Sequence, residues 1–246
     1  MKMKILGIIP SRYASTRFPG KPLIDIGGKS MIQRVYEQAK KASSLTDVIV
    51  ATDDQRIFEH IKSFSGNVVM TSSSHESGTD RCAEVLEKYE TPLDVVVNIQ
   101  GDEPFIDPEQ INELCACFFD DKTDIATLIK EIKTEKELLN PNRPKVDFDE
   151  NNFAKMFSRS VIPSFPNIKK EDWMSQHTFY KHIGIYGYRS VVLSKISTLP
   201  QSPLEIKERL EQLRWLENDY AIKIATTDYE AVAIDTPEDL EKIVFK

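Results

Sequence analysis

The chain has 246 residues, of which 40% are hydrophobic and 29% charged, and its formal net charge at pH 7 is −7. Such a composition is typical of a folded domain with a sizeable core. The acidic balance disfavours nucleic acid as a partner, because binding that ignores base sequence needs a broad basic surface. Apolar runs stay below the ~20 residues that cross a bilayer, and the N-terminal run lacks a signal-peptide cleavage site. We therefore expect a cytoplasmic protein without a membrane partner.

The first half of the sequence alternates between strand and helix patterns. Near-continuous apolar runs at 3–10, 46–52, 66–71 and 93–99 predict strands that are buried on both faces. Amphipathic stretches between them predict helices. This alternation is typical of right-handed crossovers and a largely parallel sheet, in which ligands bind at the carboxyl ends of the strands.

The pattern changes after about residue 120. Strands of a mixed or antiparallel extension are predicted at 124–132, 153–160 and 179–189, and a helix at 204–218. The segments 220–227 and 230–235 follow, and a closing helix begins at residue 237. These features favour one α/β domain with an inserted lobe over two separate domains.

A cluster of basic residues follows the first predicted strand, in the stretch RYASTRFPGKPL. The fixed φ of Pro19 and the permissive backbone of Gly20 allow backbone N–H groups to converge on an anion. The guanidinium groups of Arg12 and Arg17 match phosphate oxygens, and Lys21 adds a compact charge. A solvated surface loop is the alternative, which is disfavoured at the ligand-binding edge of the sheet. We predict that this loop binds a triphosphate.

Two aspartates at strand ends have no structural duty in the predicted helices that follow them. In NIQGDEPFIDPEQ, Asp107 is the expected N-cap of the next helix, so that helix does not need Asp102. In AIDTPEDL, Thr236 begins a T-x-x-D capping box and leaves Asp235 unused. A turn role is the alternative for either residue alone. The pair predicts a Mg²⁺ site beside the phosphates.

The stretch SSHESGTDR connects the third strand to a helix. Ser77 and Asp80 form a predicted capping box at the start of that helix, which accounts for both residues. The box does not account for Arg81. A role in ligand binding therefore stays open for this turn beside the capping role.

Alternation in the strand HIGIYGY puts His182, Gly184, Tyr186 and Tyr188 on one face. Gly184 leaves a gap between an imidazole and a phenol, in which a polyhydroxylated ligand can lie. A core face or a dimer face is the alternative interpretation of the same pattern.

The predicted helix SPLEIKERLEQLRWL is amphipathic. Its buried stripe is expected at Ile206, Leu210 and Leu213. Glu205 and Gln212 are seven residues apart and are expected to share an adjacent polar face.

These motifs, in order along nearly the whole chain, resemble those of the CMP-Kdo synthetases (3-deoxy-manno-octulosonate cytidylyltransferases). The basic loop is similar to the family's CTP-binding motif R-x-x-S-x-R-L-P-G-K-P-L, with Phe18 where leucine is usual. The resemblance implies an α/β, Rossmann-like nucleotidyltransferase with a mostly parallel, mixed central sheet flanked by helices and an inserted smaller lobe. One domain would span 1–246, with a nucleotide-binding half at 1–120, a sugar-binding and dimerisation lobe at about 121–220, and a return to the core at 221–246.

The resemblance also implies a role for each matching residue. Asp102 and Asp235 match the metal-binding aspartates, and Arg12, Arg17 and Lys21 complete the implied catalytic set. The residues implied in nucleotide binding are Pro10, Arg12, Ser15, Thr16, Arg17, Lys21, Ser77, Gly78, Thr79, Arg81 and Gln100. Those implied in sugar binding are Gln100, Arg159, His182, Tyr186, Glu205 and Gln212.

The implied reaction is attack of the anomeric hydroxyl of 3-deoxy-D-manno-octulosonate (Kdo) on the α-phosphorus of CTP. It gives CMP-Kdo and pyrophosphate for lipopolysaccharide biosynthesis, with Mg²⁺ as cofactor, CTP and Kdo as partners, and a homodimer as the assembly. A modified Kdo, such as the 8-amino-8-deoxy form, is an alternative substrate. A non-catalytic nucleotide-binding protein is the alternative from another class. A dehydrogenase is disfavoured, since G-x-G-x-x-G follows none of the predicted strands.

Overall fold

The computed structural model describes residues 3–14, 18–230, 234 and 236–241, so the predicted segment 230–235 lies mostly outside it. The strands are β1 (Ile5–Ser11), β2 (Asp47–Thr52), β3 (Val68–Met70), β4 (Val95–Asn98), β5 (Ile125–Glu131), β6 (Lys145–Phe148), β7 (Ala154–Ser158), β8 (Tyr180–Arg189) and β9 (Ile222–Thr226). The α-helices are α1 (Met31–Ala39), α2 (Gln55–Ser63), α3 (Gly78–Lys88), α4 (Pro108–Ala116), α5 (Glu135–Leu138), α6 (Trp173–Gln176), α7 (Ser190–Ile196), α8 (Pro203–Glu208), α9 (Gln212–Glu217) and α10 (Pro237–Glu241). No helix within the described ranges has both the length and the apolar character needed to cross a bilayer.

One central sheet has the strand order β3-β2-β1-β4-β8-β5-β9. Neighbouring strands run parallel except at β8, which is antiparallel to both β4 and β5. The hairpin of β6 and β7 joins the sheet through β8. The mostly parallel, mixed sheet that the sequence predicts is therefore confirmed.

Helices cover both faces of the sheet, which explains why the first strands are apolar at nearly every position. In β1, Ile9 packs into a cluster with α1, α2 and α4, while its neighbour Ile8 packs into a cluster with α3, α7 and α9. Successive strand residues point to opposite faces, so a strand covered on both sides needs apolar residues throughout. The sheet thus forms the middle layer of a three-layer α/β fold.

The prediction of a single helix over 204–218 is wrong. The chain forms two short helices there, α8 and α9, separated by Arg209 in the left-handed region at φ 54°. A residue with this conformation ends a helix, and α9 begins on a new axis. Ile206 consequently lies on the outer face of α8 and is 61% exposed, not buried as the helical pattern predicted.

The other positions of that pattern are buried together. Leu210 and Leu213 belong to the predicted buried stripe and are 6% and 1% exposed. Glu205 and Gln212 were expected on a polar face, yet both are also buried. The break at Arg209 thus turns two polar side chains into the interior.

Two smaller hydrophobic clusters lie outside the sheet. Ile132, Leu138, Trp173 and Phe179 form one beside β5 and β8. The other joins Ile234 to the N-terminal part of the chain. The division of the chain into segments 1–120, 121–220 and 221–246 stays a prediction.

Candidate active site

The predicted nucleotide loop and the Q-G-D-E-P motif meet where the parallel neighbours β1 and β4 end. A cavity of about 280 Å³ opens there. The residues that line it are Pro10, Ser11, Arg12, Lys21, Pro22, Gly78, Gln100, Gly101 and Asp102. Two motifs that lie far apart in the chain therefore converge at the carboxyl edge of the sheet, where α/β folds bind ligands.

Lys21 and Asp102 pair in this cavity, with Nζ 2.9 Å from Oδ2. Gly20 has a left-handed φ of 74° and leads into the 3₁₀ turn Lys21–Leu23, which fixes where Lys21 starts. The two side chains are 14% and 30% exposed. A cation and a carboxylate thus share a partly shielded position that a phosphate chain can reach.

Gly101 allows the chain after β4 to pass close to the end of β1. A Cβ atom at position 101 would stand 2.9 Å from the carbonyl oxygen of Pro10. That distance is too short for any larger residue unless the backbone of one strand moves. A glycine is therefore required at this position by the close approach of the two strand ends.

Arg12 links the loop after β1 to the loop before α3. Its guanidinium group donates hydrogen bonds to the carbonyls of His75, at 3.1 Å, and Glu76, at 2.7 Å. The side chain remains exposed and lines the cavity. The nearby predicted residues Ser15, Thr16 and Arg17 lie outside the described residues.

The N-terminus of α3 forms another wall of the cavity. Ser77 and Asp80 form the predicted capping box, and Gly78 lines the cavity. Thr79 is buried, with its hydroxyl 3.4 Å from that of Tyr188. Arg81 is also buried, and its guanidinium group binds Thr71 and, at 3.0 Å, Asp53.

That pairing directs Arg81 into the fold, and it is not among the lining residues of the cavity. Of this turn, only Gly78 lines the cavity; Ser77 lines a wider cleft nearby, Thr79 is buried beside Tyr188, and Arg81 supports the ends of β2 and β3. No local feature of the sequence indicates Asp53 as its partner.

The donor chemistry around Asp102 fits a hard divalent cation, which prefers carboxylate oxygens. Asp107 caps α4 with Pro108 in the first turn, as predicted, so Asp102 is not needed by that helix. Asp235 lies outside the described residues, but its neighbour Ile234 donates its N–H to the carbonyl of Asp102 at 3.0 Å. Within the described ranges, three or more His, Cys, Asp or Glu side chains do not gather into a metal-binding group.

Glu103, which the sequence analysis did not single out, changes the charge of this region. Burial and the negative charge of Asp102 raise the pKa of Glu103 to about 7, while Arg143 acts in the opposite direction. A carboxyl group beside Asp102 is therefore partly protonated near neutral pH.

A second cavity, of about 180 Å³, adjoins the first and shares Pro10, Gly78, Gln100 and Gly101 with it. Tyr186 and Glu211 line its far side. Gln100 connects the two regions, because its Nε2 atom donates a hydrogen bond to the carbonyl of Gly184 at 2.8 Å. The side chain after β4 thus holds the strand that carries the predicted sugar-binding residues.

The predicted shared face of β8 is present. The ring of Tyr186 lies 5.2 Å from that of His182 and 6.2 Å from that of Tyr188, and Trp215 contacts both tyrosines edge-on. A Cβ atom at Gly184 would meet nothing within 4 Å among the described residues. The gap predicted at this glycine therefore exists beside the aromatic face.

Several buried polar atoms on β8 and at α9 have no hydrogen-bond partner among the described residues. They are Tyr186 Oη, Glu211 Oε1, Gln212 Nε2 and Trp215 Nε1. An unpaired buried polar group costs about 1–3 kcal/mol, so such a group of them is typical of a site whose ligand supplies the missing partners. Glu211 lines the second cavity and was not predicted, whereas the predicted Gln212 does not line it.

Burial raises the pKa of Glu211, although nearby Thr79, Arg214 and Ser77 counteract that effect. In the sequence, Glu211 lies next to Gln212 in RLEQLRW. The predicted continuous helix placed Glu205 on the polar face with Gln212, so Glu211 was not indicated.

Glu205 is engaged by the protein. Its carboxylate forms a capping box with Ser202 and a buried ion pair with Arg214, in which Oε2 lies 2.8 Å from Nε. It also lines a wider cleft of about 750 Å³ between α8 and the loop before α3, and this cleft includes Glu211. Glu205 is therefore near the site, but its oxygens already have partners.

Arg159 is engaged in a similar way. Its guanidinium group donates to the carbonyls of Pro141, Glu208 and Arg209 at 2.8–3.2 Å. These bonds join the end of β7 to the break between α8 and α9. They use three of the five N–H groups of the guanidinium, which leaves two donors, but Arg159 lines neither of the two cavities described above.

The family model and the most similar sequences described here indicate the same family. A family model described as Cytidylyltransferase matches residues 6–224. The 3-deoxy-manno-octulosonate cytidylyltransferase of Parabacteroides distasonis is 59% identical, over 98% of this chain and 96% of that protein. Its counterpart in Bacteroides thetaiotaomicron is 58% identical, over 97% and 96%.

The solved structures agree with this result. A CMP:2-keto-3-deoxy-manno-octonic acid synthetase complexed with CTP superposes with a TM-score of 0.89 at 41% identity, covering 97% of this chain and 96% of that one. A 4-diphosphocytidyl-2C-methyl-D-erythritol synthase from Anaerococcus prevotii has a TM-score of 0.64 at 12% identity, covering 98% and 97%, and shares the fold alone. With the converging motifs and near-complete coverage at high identity, the chain belongs to the 3-deoxy-manno-octulosonate cytidylyltransferase family.

Proposed function

We propose that this chain transfers a cytidylyl group from CTP to the anomeric hydroxyl of Kdo, giving CMP-Kdo and pyrophosphate. The observation that carries the proposal is the position of Gln100. Its neighbours in the chain line the cavity that holds Lys21, and its own amide binds Gly184 beside the aromatic face. Transfer between two substrates requires their sites to meet in this way. The names of the family members give the identities of the two substrates.

On the nucleotide side, we assign Pro10, Arg12, Lys21, Ser77, Gly78, Thr79 and Gln100 to CTP, together with Ser15, Thr16 and Arg17 of the same loop. Lys21 is the group best placed to neutralise charge that develops on the phosphates during transfer, and such electrostatic stabilisation carries most of the catalysis of phosphoryl-type reactions. Arg81 acts indirectly, by binding Asp53 and Thr71 and so holding the ends of β2 and β3 next to the nucleotide site.

Asp102 would hold Mg²⁺, and we propose Asp235 as its partner. When bound, the ion supplies charge neutralisation at the phosphates and lowers the pKa of a coordinated hydroxyl. Lys21 already forms an ion pair with Asp102, so the same carboxylate can orient both the lysine and the cation.

On the sugar side, we assign Gln100, His182, Tyr186 and Gln212 to Kdo binding. We add Glu211, because it lines the second cavity with Tyr186 and one of its oxygens has no partner among the described residues. Arg159 and Glu205 remain candidates for Kdo binding, and both side chains also hold other parts of the fold together. The homodimer, the cytoplasmic location and the role in lipopolysaccharide biosynthesis stay predictions from the resemblance.

The test is incubation of the purified chain with CTP, Mg²⁺ and Kdo, followed by phosphorus NMR. We expect a new phosphodiester signal of CMP-Kdo and an equal amount of pyrophosphate, and neither without Kdo. A parallel reaction with 8-amino-8-deoxy-Kdo measures the preference between acceptors. Binding of CTP without pyrophosphate release from either acceptor would refute the proposal and favour a non-catalytic nucleotide-binding protein.

A further inference from the structure

The pairing of β5 with β8 is interrupted beside the predicted sugar site. Thr127 pairs with Tyr186, but the next residue of β5, Leu128, pairs with Ile183. Gly184 and Ile185 of β8 therefore have no counterparts on β5. Such a bulge leaves backbone carbonyls that need other donors.

Side chains supply those donors. Gln100 Nε2 binds the carbonyl of Gly184. The hydroxyl of Thr127, which is fully buried, lies 2.8 Å from the carbonyl of Ile185 and 3.2 Å from that of Ile183. The same hydroxyl oxygen lies 2.9 Å from Nε2 of His182. One threonine therefore contacts two carbonyl oxygens and one imidazole nitrogen.

Counting protons fixes the direction of these bonds. A hydroxyl has one proton to donate, and a carbonyl oxygen can only accept. At 2.8 Å the Thr127 and Ile185 oxygens must have that proton between them, since two oxygens without one would repel each other. Thr127 then has only lone pairs left for His182, so Nε2 of His182 must carry a proton and donate it.

The other ring nitrogen follows from this. Burial lowers the pKa of His182 to about 3, so the imidazole is neutral and its single proton is on Nε2. Nδ1 is then an acceptor. It makes no hydrogen bond to the described residues, and His182 as a residue is half-buried. Phe157 contacts the ring edge-on and Tyr186 lies tilted against it, and both hold it in place.

We infer that Thr127 is a positioning residue for the acceptor sugar: its hydroxyl holds His182 as the Nε2–H tautomer, so that Nδ1 accepts a hydrogen bond from a sugar hydroxyl. The sugar role of His182 rests on the proposed function, whereas the tautomer does not. A histidine fixed in this form selects a hydroxyl donor at this point of the site and offers nothing to the sugar carboxylate. Thr127 itself does not touch the substrate.

The experiment is long-range ¹H–¹⁵N NMR of the ¹⁵N-histidine-labelled protein at pH 7, which distinguishes the two neutral tautomers and the imidazolium. The chain has four histidines, and a His182→Gln sample assigns the signals of His182. We expect the Nε2–H pattern in the wild type and in Thr127→Ser, which keeps the hydroxyl. Thr127→Val removes the acceptor and should shift His182 towards the Nδ1–H form. An Nδ1–H or charged His182 in the wild type, or an unchanged pattern in Thr127→Val, overturns the inference.

Kinetics separate positioning from a general loss of structure. Because the loss of one buried hydrogen bond costs about a factor of ten in an equilibrium constant, we expect Thr127→Val to raise KM for Kdo about tenfold and to leave KM for CTP within about twofold. Thr123→Val is the matched control, since Thr123 is equally buried and donates to the carbonyl of Cys117 away from His182. Equal effects of the two valines on KM for Kdo would contradict the inference. If the wild type makes no CMP-Kdo, the proposed function fails while the NMR result still decides the tautomer.

Discussion

The carboxylate of Asp102 lies 2.9 Å from the ammonium group of Lys21, although 81 positions separate the two residues in the chain. The pair is partly exposed, and such pairs contribute only about 0–1 kcal/mol to the free energy of unfolding. We therefore expect loss of this pair to affect activity much more than the stability of the fold.

Asp102→Asn tests that distinction. We expect kcat for pyrophosphate release to fall by about 10²–10³-fold, the range found when one preorganised electrostatic contact is lost, with little change in the melting temperature. Asp107→Asn is the control, since asparagine caps a helix as well as aspartate does, and it should keep full activity. Wild-type turnover of Asp102→Asn across a Mg²⁺ titration would remove Asp102 from the metal site.

Two glycines of the site should respond differently to alanine. At Gly101 the new Cβ would meet the Pro10 carbonyl at 2.9 Å, so we expect Gly101→Ala to lower both the melting temperature and kcat/KM for CTP. At Gly184 the Cβ has free space within the described structure, so Gly184→Ala should fold normally and raise KM for Kdo by occupying the gap. Thermal unfolding and steady-state kinetics on both variants check this. A normal KM for Kdo in Gly184→Ala would mean that the sugar does not lie in the gap.

Tyr186→Phe removes a buried hydroxyl that has no partner among the described residues. We expect the free energy of unfolding to stay the same or rise by up to about 1 kcal/mol, because the unpaired group costs the unliganded protein. KM for Kdo should rise about tenfold, since the hydroxyl would bind the sugar. Tyr36→Phe is the contrasting control: the Tyr36 hydroxyl accepts a hydrogen bond from the N–H of Asn67 at 3.1 Å. That variant should lose stability without a change in KM.

Glu205→Gln separates a structural role from a sugar-binding one. Breaking a buried ion pair costs about 3–5 kcal/mol, and the pair of Glu205 with Arg214 is buried. We expect a large drop in the denaturant midpoint, compared with a negligible one for the exposed nearby Glu217→Gln. A stable Glu205→Gln protein with a raised KM for Kdo would instead make Glu205 a direct sugar ligand.

Acid should loosen the loop that Arg12 contacts. Burial alone would raise the pKa of Glu84, but hydrogen bonds from Lys88, the Ser72 amide and His75 outweigh it and lower the pKa to about 2. This carboxylate therefore stabilises the fold fully above its unfolded pKa of 4.5, and the contribution disappears as the pH falls towards 2. After solvent screening we expect about 1 kcal/mol. Glu84→Gln should flatten the acid limb of a stability–pH curve by that amount; an unchanged limb would contradict the pKa assignment.

Local patterns predicted the fold well, because the interactions that decide it are local or periodic. The apolar runs of β1, β2 and β4 identify strands covered on both faces. The capping box at Ser77 and the N-cap at Asp107 are present as predicted. Because Asp107 caps α4, Asp102 could be recognised from the sequence alone as not needed by that helix.

Features that depend on distant partners were not predictable in this way. Arg209 adopts a left-handed conformation without being glycine, so nothing in its immediate sequence indicates that a helix ends there. The resulting shift exposes Ile206 and buries Glu205. Arg81 is directed inward by Asp53, 28 positions earlier. Glu211 lines a cavity together with Tyr186, and the continuous helix predicted for this stretch did not indicate it.

The contact of Ile234 with Asp102 ties the C-terminal part of the chain to the end of β4. Its side chain packs with Ile26 and Met31, and its N–H binds the carbonyl of Asp102. All the described strands precede Ile234 in the chain. A chain truncated after residue 230 therefore keeps every described strand but lacks this hydrogen bond to Asp102, so truncation would separate the integrity of the sheet from the anchoring of the Asp102 backbone.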